Sequence, residues 1–262
     1  MEMVLGKQVL EFQFLCKLIK INNIKEKLKK VAVIQSNYIP WKGYFDIINM
    51  VDEFFILDDV QYTKRDFRNR NKIKTPKGVS WITIPVKVKD RYYQKINETI
   101  IVDKSWQESH WNKIKQNYYK SKYFDEYATI FEDLYRSINT NQLSKVNFKF
   151  ISTINSILDI NTKITYPKKV KEISKNKTMR LAEICKASEA DVYLTGPKGK
   201  QYLDLSLFEK FNLKVEWVSY ENYIPYDQLF PPFNHFVSIL DLIFNHGIDS
   251  KKYMKSFKSQ NL

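Results

Sequence analysis

The chain has 262 residues, enough to bury a sizeable core in one large domain or two small ones. Hydrophobic residues at 44% and aromatics at 15% exclude a disordered or acidic low-complexity chain. Lys and Arg number 43 against 29 Asp and Glu, and the resulting +14 fits an anionic partner or a general solubility charge equally well. Cys16 and Cys185 are the only thiols and form no C-x-x-C pair, which excludes a disulfide scaffold and a cysteine-rich metal site. Uninterrupted apolar runs reach about four or five residues, far short of the ~20 that span a bilayer. Most lysines of the first 30 residues follow the apolar stretch 9–16, the reverse of a secretory signal. Residues 1–30 therefore read as an N-terminal extension, and the chain as a cytoplasmic protein with no membrane span.

Regular elements begin at Val31. Residues 31–35 form a short apolar run ending in polar residues, the pattern of a buried parallel strand. Residues 41–51 place Tyr44, Ile47, Ile48 and Val51 on one helical stripe, and residues 54–57 form a second buried strand ending in Asp58-Asp59. Strand, helix and strand within about 30 residues match a βαβ unit. A polar, basic loop is expected over 61–77, then two antiparallel strands over 79–89 and 96–102, with Pro85 pushing the first towards an edge. From 106 to 160 the period turns helical, with three helices. A weak strand signal follows at 163–166. Helix 178–188, strand 191–195, helix 205–211, strand 213–219 and helix 236–244 complete the pattern, the last closed by Gly247. Strand–helix alternation at both ends points to one parallel-sheet α/β domain over 31–250, with a helical insertion at about 105–160 and a tail at 251–262.

Ligands of open α/β sheets bind beyond the carboxyl ends of the strands, so three loops carry the candidate chemistry. The first holds Gln35, Asn37, Tyr38, Trp41, Lys42 and Tyr44, and its Gly43 offers a backbone that a ligand can approach near a helix start. In the second, Asp58 and Asp59 suit a metal, a ribose, an amine or the work of a base. Gln61, Arg65, Arg68, Asn69, Arg70 and Lys72 follow, and the arginines are rigid bidentate donors suited to phosphate. The third is a Gly-containing turn, Gly196, Pro197 and Lys198, followed by Tyr202. It lacks G-x-x-x-x-G-K-S/T, and no G-x-G-x-x-G occurs in the chain, which speaks against a P-loop and an ordinary dinucleotide site. His110 shares a helix face with Trp106 and Ile114. His235 and His246 lack the i, i+4 spacing of a helical zinc pair, and no metal site is assigned. Tyr118, Tyr119 and Tyr123 lie among Lys113, Lys115, Lys120 and Lys122, as in a nucleic-acid patch or an amphipathic helix.

Taken together, these segments resemble the WbqC-like proteins. Gln35-x-Asn37-Tyr38-x-Pro40-Trp41-x-Gly43-Tyr44-Phe45, Asp58-Asp59-Val60-Gln61-Tyr62 and Arg68-Asn69-Arg70-Asn71-Lys72-Ile73 carry the resemblance. Trp81-Ile-Thr-Ile-Pro85, the stretch 106–118 with His110, Tyr193-Leu-x-Gly196-Pro197, Tyr202-Leu-Asp204 and 238–247 extend it over about 31–247. The extension before Val31 departs from the family pattern. A weaker analogy links the first loop to adenylyl-transferring Rossmann-like enzymes, where H-x-G-H stands in place of Trp41-Lys42-Gly43-Tyr44. The fold expected is thus α/β: a Rossmann-like parallel sheet flanked by helices, with a β-hairpin and a helical insertion.

The resemblance implies a role in bacterial surface-polysaccharide (O-antigen, lipopolysaccharide) biosynthesis. The expected activity is an acyl or aminoacyl transferase acting on a nucleotide-linked amino sugar. In that scheme Arg65, Arg68, Arg70 and Lys72 hold the diphosphate, Asp59 or His110 takes the amine proton, and Gln35, Asn37 and the third loop orient the donor. The donors considered are an acyl-CoA, an acyl carrier protein thioester and an aminoacyl-tRNA. The alternatives are an ATP-dependent ligase or nucleotidyltransferase with Mg²⁺ on Asp58 and Asp59, and a non-enzymatic binding module for an acidic partner. The sequence leaves oligomeric state open.

Overall fold

A computed structural model describes residues 28–167 and 176–258. Most of the expected extension, and Cys16 with it, lie outside the described residues. The elements run β1 (Lys30–Ile34), α1 (Lys42–Asn49), β2 (Glu53–Ile56), β3 (Arg70–Thr75) and β4 (Gly78–Thr83), followed by three helices. These are α2 (Trp106–Tyr118), α3 (Phe124–Arg136) and α4 (Leu143–Ile157). Then come β5 (Lys163–Thr165), α5 (Lys177–Ala187), β6 (Val192–Thr195), α6 (Leu205–Glu209), β7 (Lys214–Trp217) and α7 (Ile239–His246).

Five strands form one parallel sheet in the order β5-β2-β1-β6-β7. Side chains alternate across a strand, and here both faces are covered. Val31, Val33, Phe55 and Tyr193 pack with Leu181, Ala182 and Cys185 of α5 and Phe208 of α6. Ala32, Phe54, Ile56 and Leu194 pack with α1 and with a large aromatic core supplied by α2, α3, α4 and α7. The helix after β1 therefore covers one face and the helix after β6 the other. The order in which strands are added reverses between these two neighbouring parallel strands, the place where such sheets open a crevice for ligands. This is the Rossmann-like α/β architecture.

Helix termini follow local chemistry. Asn176 accepts from Thr178 and Met179 amides to start α5, Asp204 caps α6 and Ser238 caps α7. Acidic Asp125 and Glu126 open α3 and Arg136 closes it, matching its dipole. Gly247 ends α7 at φ +54°, a left-handed position that suits glycine.

The hairpin lies one strand earlier than the periodicity predicts. Within the expected loop 61–77, residues Arg70–Thr75 form β3 and pair antiparallel with β4, Asn71 opposite Ile82 and Lys72 opposite Trp81. One face carries Arg70 and Lys72 and the other Asn71 and Ile73, so neither face reads as apolar and the alternation is hidden. Only isolated bridges, Val86–Ile101 and Ile100–Gln142, stand among the described residues where a second strand is expected at 96–102, and residues Ile96–Glu98 form a 3₁₀ turn.

Candidate functional site

At the carboxyl end of β2, Asp58 is buried and organises the crest of the sheet. It accepts from the Ser36 amide at 2.8 Å, the Ser36 hydroxyl at 2.7 Å and the Ser144 hydroxyl. Asn147 donates to the Ser36 hydroxyl at 3.0 Å and to the Arg68 carbonyl at 2.9 Å. Burial raises the Asp58 pKa, against the hydrogen bonds of Ser144 and Ser36 and the charge of Arg68. Asp58 thus ties β1, β2 and α4 together, with its oxygens engaged inside the protein.

Asp59 is placed differently. One oxygen pairs with Arg180 of α5; the other, Oδ1, is shielded from solvent and has no hydrogen-bond partner. An unpaired buried carboxylate oxygen is costly, and here it follows the carboxyl end of β2, the strand next to β1. Arg68 donates to the Ser36 carbonyl at 3.2 Å and to the Asn37 side chain, and pairs with Asp66 at 3.4 Å, while its buried Nε lacks a partner. Arg68, Asn37 and the Gln35 carbonyl, which also accepts from Tyr44 at 3.1 Å, join the first and second loops at one edge.

One residue of the first loop has a strained backbone. Ile39 has φ +41°, unfavourable for a β-branched residue. Asn71 holds it, donating to the Tyr38 carbonyl at 3.1 Å and the Ile39 carbonyl at 2.7 Å. Gly43 is explained by packing: a Cβ there would lie 2.4 Å from the Trp41 indole. The indole covers the first turn of α1, so the backbone is closed to a ligand where the sequence suggests it is open. Lys42 is buried between Tyr223 and Tyr226, 4.7 and 5.0 Å from the ring centres, and reaches the Ile224 carbonyl at 3.4 Å. Burial lowers its pKa to about 8.

The third loop meets the first through Tyr220, whose hydroxyl would stand 3.1 Å from a Cβ on Gly196 and whose ring lies 5.0 Å from Trp41. A Cβ on Gly199 would meet Trp217 at 2.7 Å, so this glycine also serves packing. Pro197 starts a short 3₁₀ turn that leaves Lys198 and Tyr202 exposed.

His110 is apart from these groups. It is buried in an aromatic box of Tyr38 and Trp106, and its Nδ1 lies 2.9 Å from the Tyr38 hydroxyl, which in turn lies 2.5 Å from the Tyr135 hydroxyl. Burial lowers its pKa to about 4, so the ring is neutral at pH 7. An open groove of about 530 Å³ lies between α2 and α3, lined by Glu108, Trp111, Lys115 and Arg136 among others. It contains none of the crest residues, and the chemistry of the crest outweighs its size in choosing the site.

The basic cluster also divides. Arg68 serves the crest, whereas Arg70 and Lys72 lie over the Trp81 ring at 4.1 and 5.1 Å on the hairpin, and Arg65 gives its carbonyl to Arg70. Asn69 is buried, accepting from Tyr62 at 2.9 Å and donating to the Ile84 carbonyl at 2.8 Å. Gln61 is exposed and donates to the Tyr92 carbonyl at 2.9 Å. Tyr118 is buried against Asp241 at 3.0 Å, which removes it from any lysine-rich surface on α2. Sequence reasoning missed Arg180, Ser144, Asn147 and Tyr220. Ser144 and Asn147 carried a signal, being polar residues on the apolar stripe of α4, and Arg180 is one of only six arginines. Tyr220 carried none.

No helix among the described residues is long and apolar enough to cross a membrane. No solved structure matches the chain. It is 44% identical over 228 residues to "Uncharacterized protein Rv1507c" of Mycobacterium tuberculosis, which covers 87% of this chain and 98% of that protein. The model of the WbqC-like protein family matches residues 35–253, a span that takes in the crest loops, the hairpin and the helical insertion, and the chain belongs to that family.

Proposed function

We propose that this chain is a cytoplasmic transferase of surface-polysaccharide (O-antigen) biosynthesis that acylates or aminoacylates the amine of a nucleotide-linked amino sugar at the crest of the sheet. The observation that carries this is Asp59, fixed through one oxygen by Arg180 and left unpaired at the other beyond the carboxyl end of β2. A carboxylate held in that way takes a proton from an amine and leaves the nitrogen lone pair free to attack. The amine nitrogen bonds to the donor carbonyl carbon, the thioester or ester bond to the donor breaks, and the amine's proton passes through Asp59 to the departing group. Arg68, Arg180 and Lys198 supply positive charge for the diphosphate, and Asn37 and Gln35 orient the donor. Of the two proton acceptors suggested by sequence, Asp59 is favoured over His110, which is enclosed by aromatic rings. Arg70 and Lys72 belong to the hairpin and Arg65 to the loop before it, and none of the three takes part in this scheme.

The test is incubation of the purified protein with nucleotide-linked amino sugars and, in separate reactions, an acyl-CoA, an acyl carrier protein thioester and an aminoacyl-tRNA, with mass detection of the N-acylated sugar. Asp59→Asn is expected to lower kcat about 10²- to 10⁴-fold with little change in KM. Full turnover by this variant ends the role of Asp59, and no product with any pair ends the transferase assignment.

A further inference from the structure

Positive charge is concentrated in one part of the chain. Residues 61–98 hold eleven Lys and Arg against three Asp and Glu, including four of the six arginines. The same stretch carries exposed rings. Phe67 is 43% exposed, Trp81 37%, Tyr92 71% and Tyr93 83%. These rings form two pairs. Phe67 lies 5.8 Å from Trp81, and Tyr92 lies 5.0 Å from Tyr93 and accepts from the Gln61 amide through its carbonyl. Arg70 and Lys72 stand over Trp81, and Lys113 of α2 donates to the Trp81 carbonyl at 3.0 Å. Among the described residues, the ion pairs include none of Lys64, Arg65, Arg70, Lys72 and Arg91.

From this we infer that the outer face of the hairpin and the adjoining loops form a binding surface for single-stranded nucleic acid, with phosphates on the unpaired cations and bases on the exposed rings. Charge complementarity selects a polyanion. The rings select the kind. Flat exposed aromatics beside cations are the platform on which unpaired bases stack, and stacking tolerates any base because each has a π-face. An acidic protein would engage the cations and leave four large rings uncovered, and a duplex hides its base faces. The surface is independent of the transferase scheme, since it uses neither Asp59 nor Arg180.

The experiment is fluorescence anisotropy of the full chain with a labelled 16-nucleotide single-stranded RNA of mixed sequence, the same sequence as DNA, the RNA annealed to its complement, and polyglutamate, between 50 and 200 mM salt. Single strands are expected to bind, with log K falling by about 0.7 per phosphate engaged for each tenfold rise in salt. Arg70→Gln should weaken binding and reduce that slope by about 0.7. The double variant Tyr92→Ala, Tyr93→Ala should weaken binding about five- to 150-fold per stacked base with the slope unchanged. These two side chains are the most exposed of the four, so an unchanged melting temperature separates lost stacking from lost fold. Any preference between RNA and DNA identifies the natural source and supports the proposal. It is overturned by absent binding at 50 mM salt, by duplex or polyglutamate binding as tightly as single strands, or by an unaffected double tyrosine variant.

Discussion

Two buried titratable groups place opposite demands on stability as pH falls, and replacing either one should expose the other. His110 has its pKa lowered from 6.5 to about 4, chiefly by burial. The folded state then binds this proton less readily than the unfolded state, so the contribution is present above pH 6.5 and lost as pH falls towards 4. Between pH 7.5 and pH 5 the loss is about 2 kcal/mol. Asp241 is fully buried, accepts from Tyr118 at 3.0 Å, Tyr226 at 2.9 Å and Gln228 at 2.8 Å, and has its pKa raised from 3.8 to about 6, again chiefly by burial. Its folded form holds the proton more tightly, so its contribution is complete below pH 3.8 and lost as pH rises through 6. Over the same interval acidification recovers about 1.4 kcal/mol. The two nearly cancel, with a net loss of about 0.6 kcal/mol.

The assay is urea unfolding at pH 7.5 and pH 5 for the wild type, His110→Gln and Asp241→Asn. All other titrating groups are common to the three proteins and drop out of the differences. Relative to the wild type, His110→Gln should gain about 2 kcal/mol on acidification and Asp241→Asn should lose about 1.4 kcal/mol. Each variant is also destabilised at pH 7.5 by lost hydrogen bonds, and that offset does not enter the pH difference. A His110→Gln protein whose pH dependence follows the wild type within about 0.5 kcal/mol would refute the claim that folding holds this ring neutral.

Three further outcomes follow from the crest and its supports. Asn71→Ala removes both donors from the Tyr38 and Ile39 carbonyls and should cost about 2 kcal/mol or more in urea unfolding; a loss below about 0.5 kcal/mol would show that the Ile39 backbone holds itself. Gly43→Ala should cost about 1–3 kcal/mol because the indole of Trp41 must move, and Trp41→Leu in the same chain should recover part of it. Lys198→Ala, exposed on the third loop, should raise KM for a nucleotide-linked sugar and leave the melting temperature unchanged; an unaltered KM removes this residue from diphosphate binding.

The parallel sheet is legible because its first two strands are short apolar runs, 31–34 and 54–56, with a helical stripe between them. Burial on both faces leaves that pattern uninterrupted. The hairpin is not legible, because β3 puts Arg70 and Lys72 on one face and Asn71 on the other, and Asn71 is buried for what it bonds rather than for its polarity. Asp58 and Asp59 illustrate the same limit. Adjacent and chemically identical, they are read as a pair, yet one is enclosed by Ser36 and Ser144 and the other meets Arg180, more than a hundred residues away. Spacing identifies the strand end; only the fold distinguishes the two carboxylates.

That distinction changes where anion recognition resides. In many open α/β sheets the first helix presents its free amides to a phosphate, and glycine there admits the ligand. Here the Trp41 indole lies over the first turn of α1 in the space a Cβ at Gly43 would need, and Tyr220 closes on Gly196 in the third loop. Gly43, which reads as an opening for a ligand, and Gly196 of the third loop are both covered by aromatic side chains of the chain itself. Recognition of a charged substrate at this crest then falls to side chains that cross between loops. Arg68 joins the first and second, and Arg180 reaches Asp59 from α5. Such side-chain contacts are exchangeable one at a time, whereas a helix terminus is not. Arg180→Ala should therefore free Asp59 and abolish transferase turnover while the Asp58 cluster keeps the crest folded; a variant with wild-type turnover would return the role to the backbone.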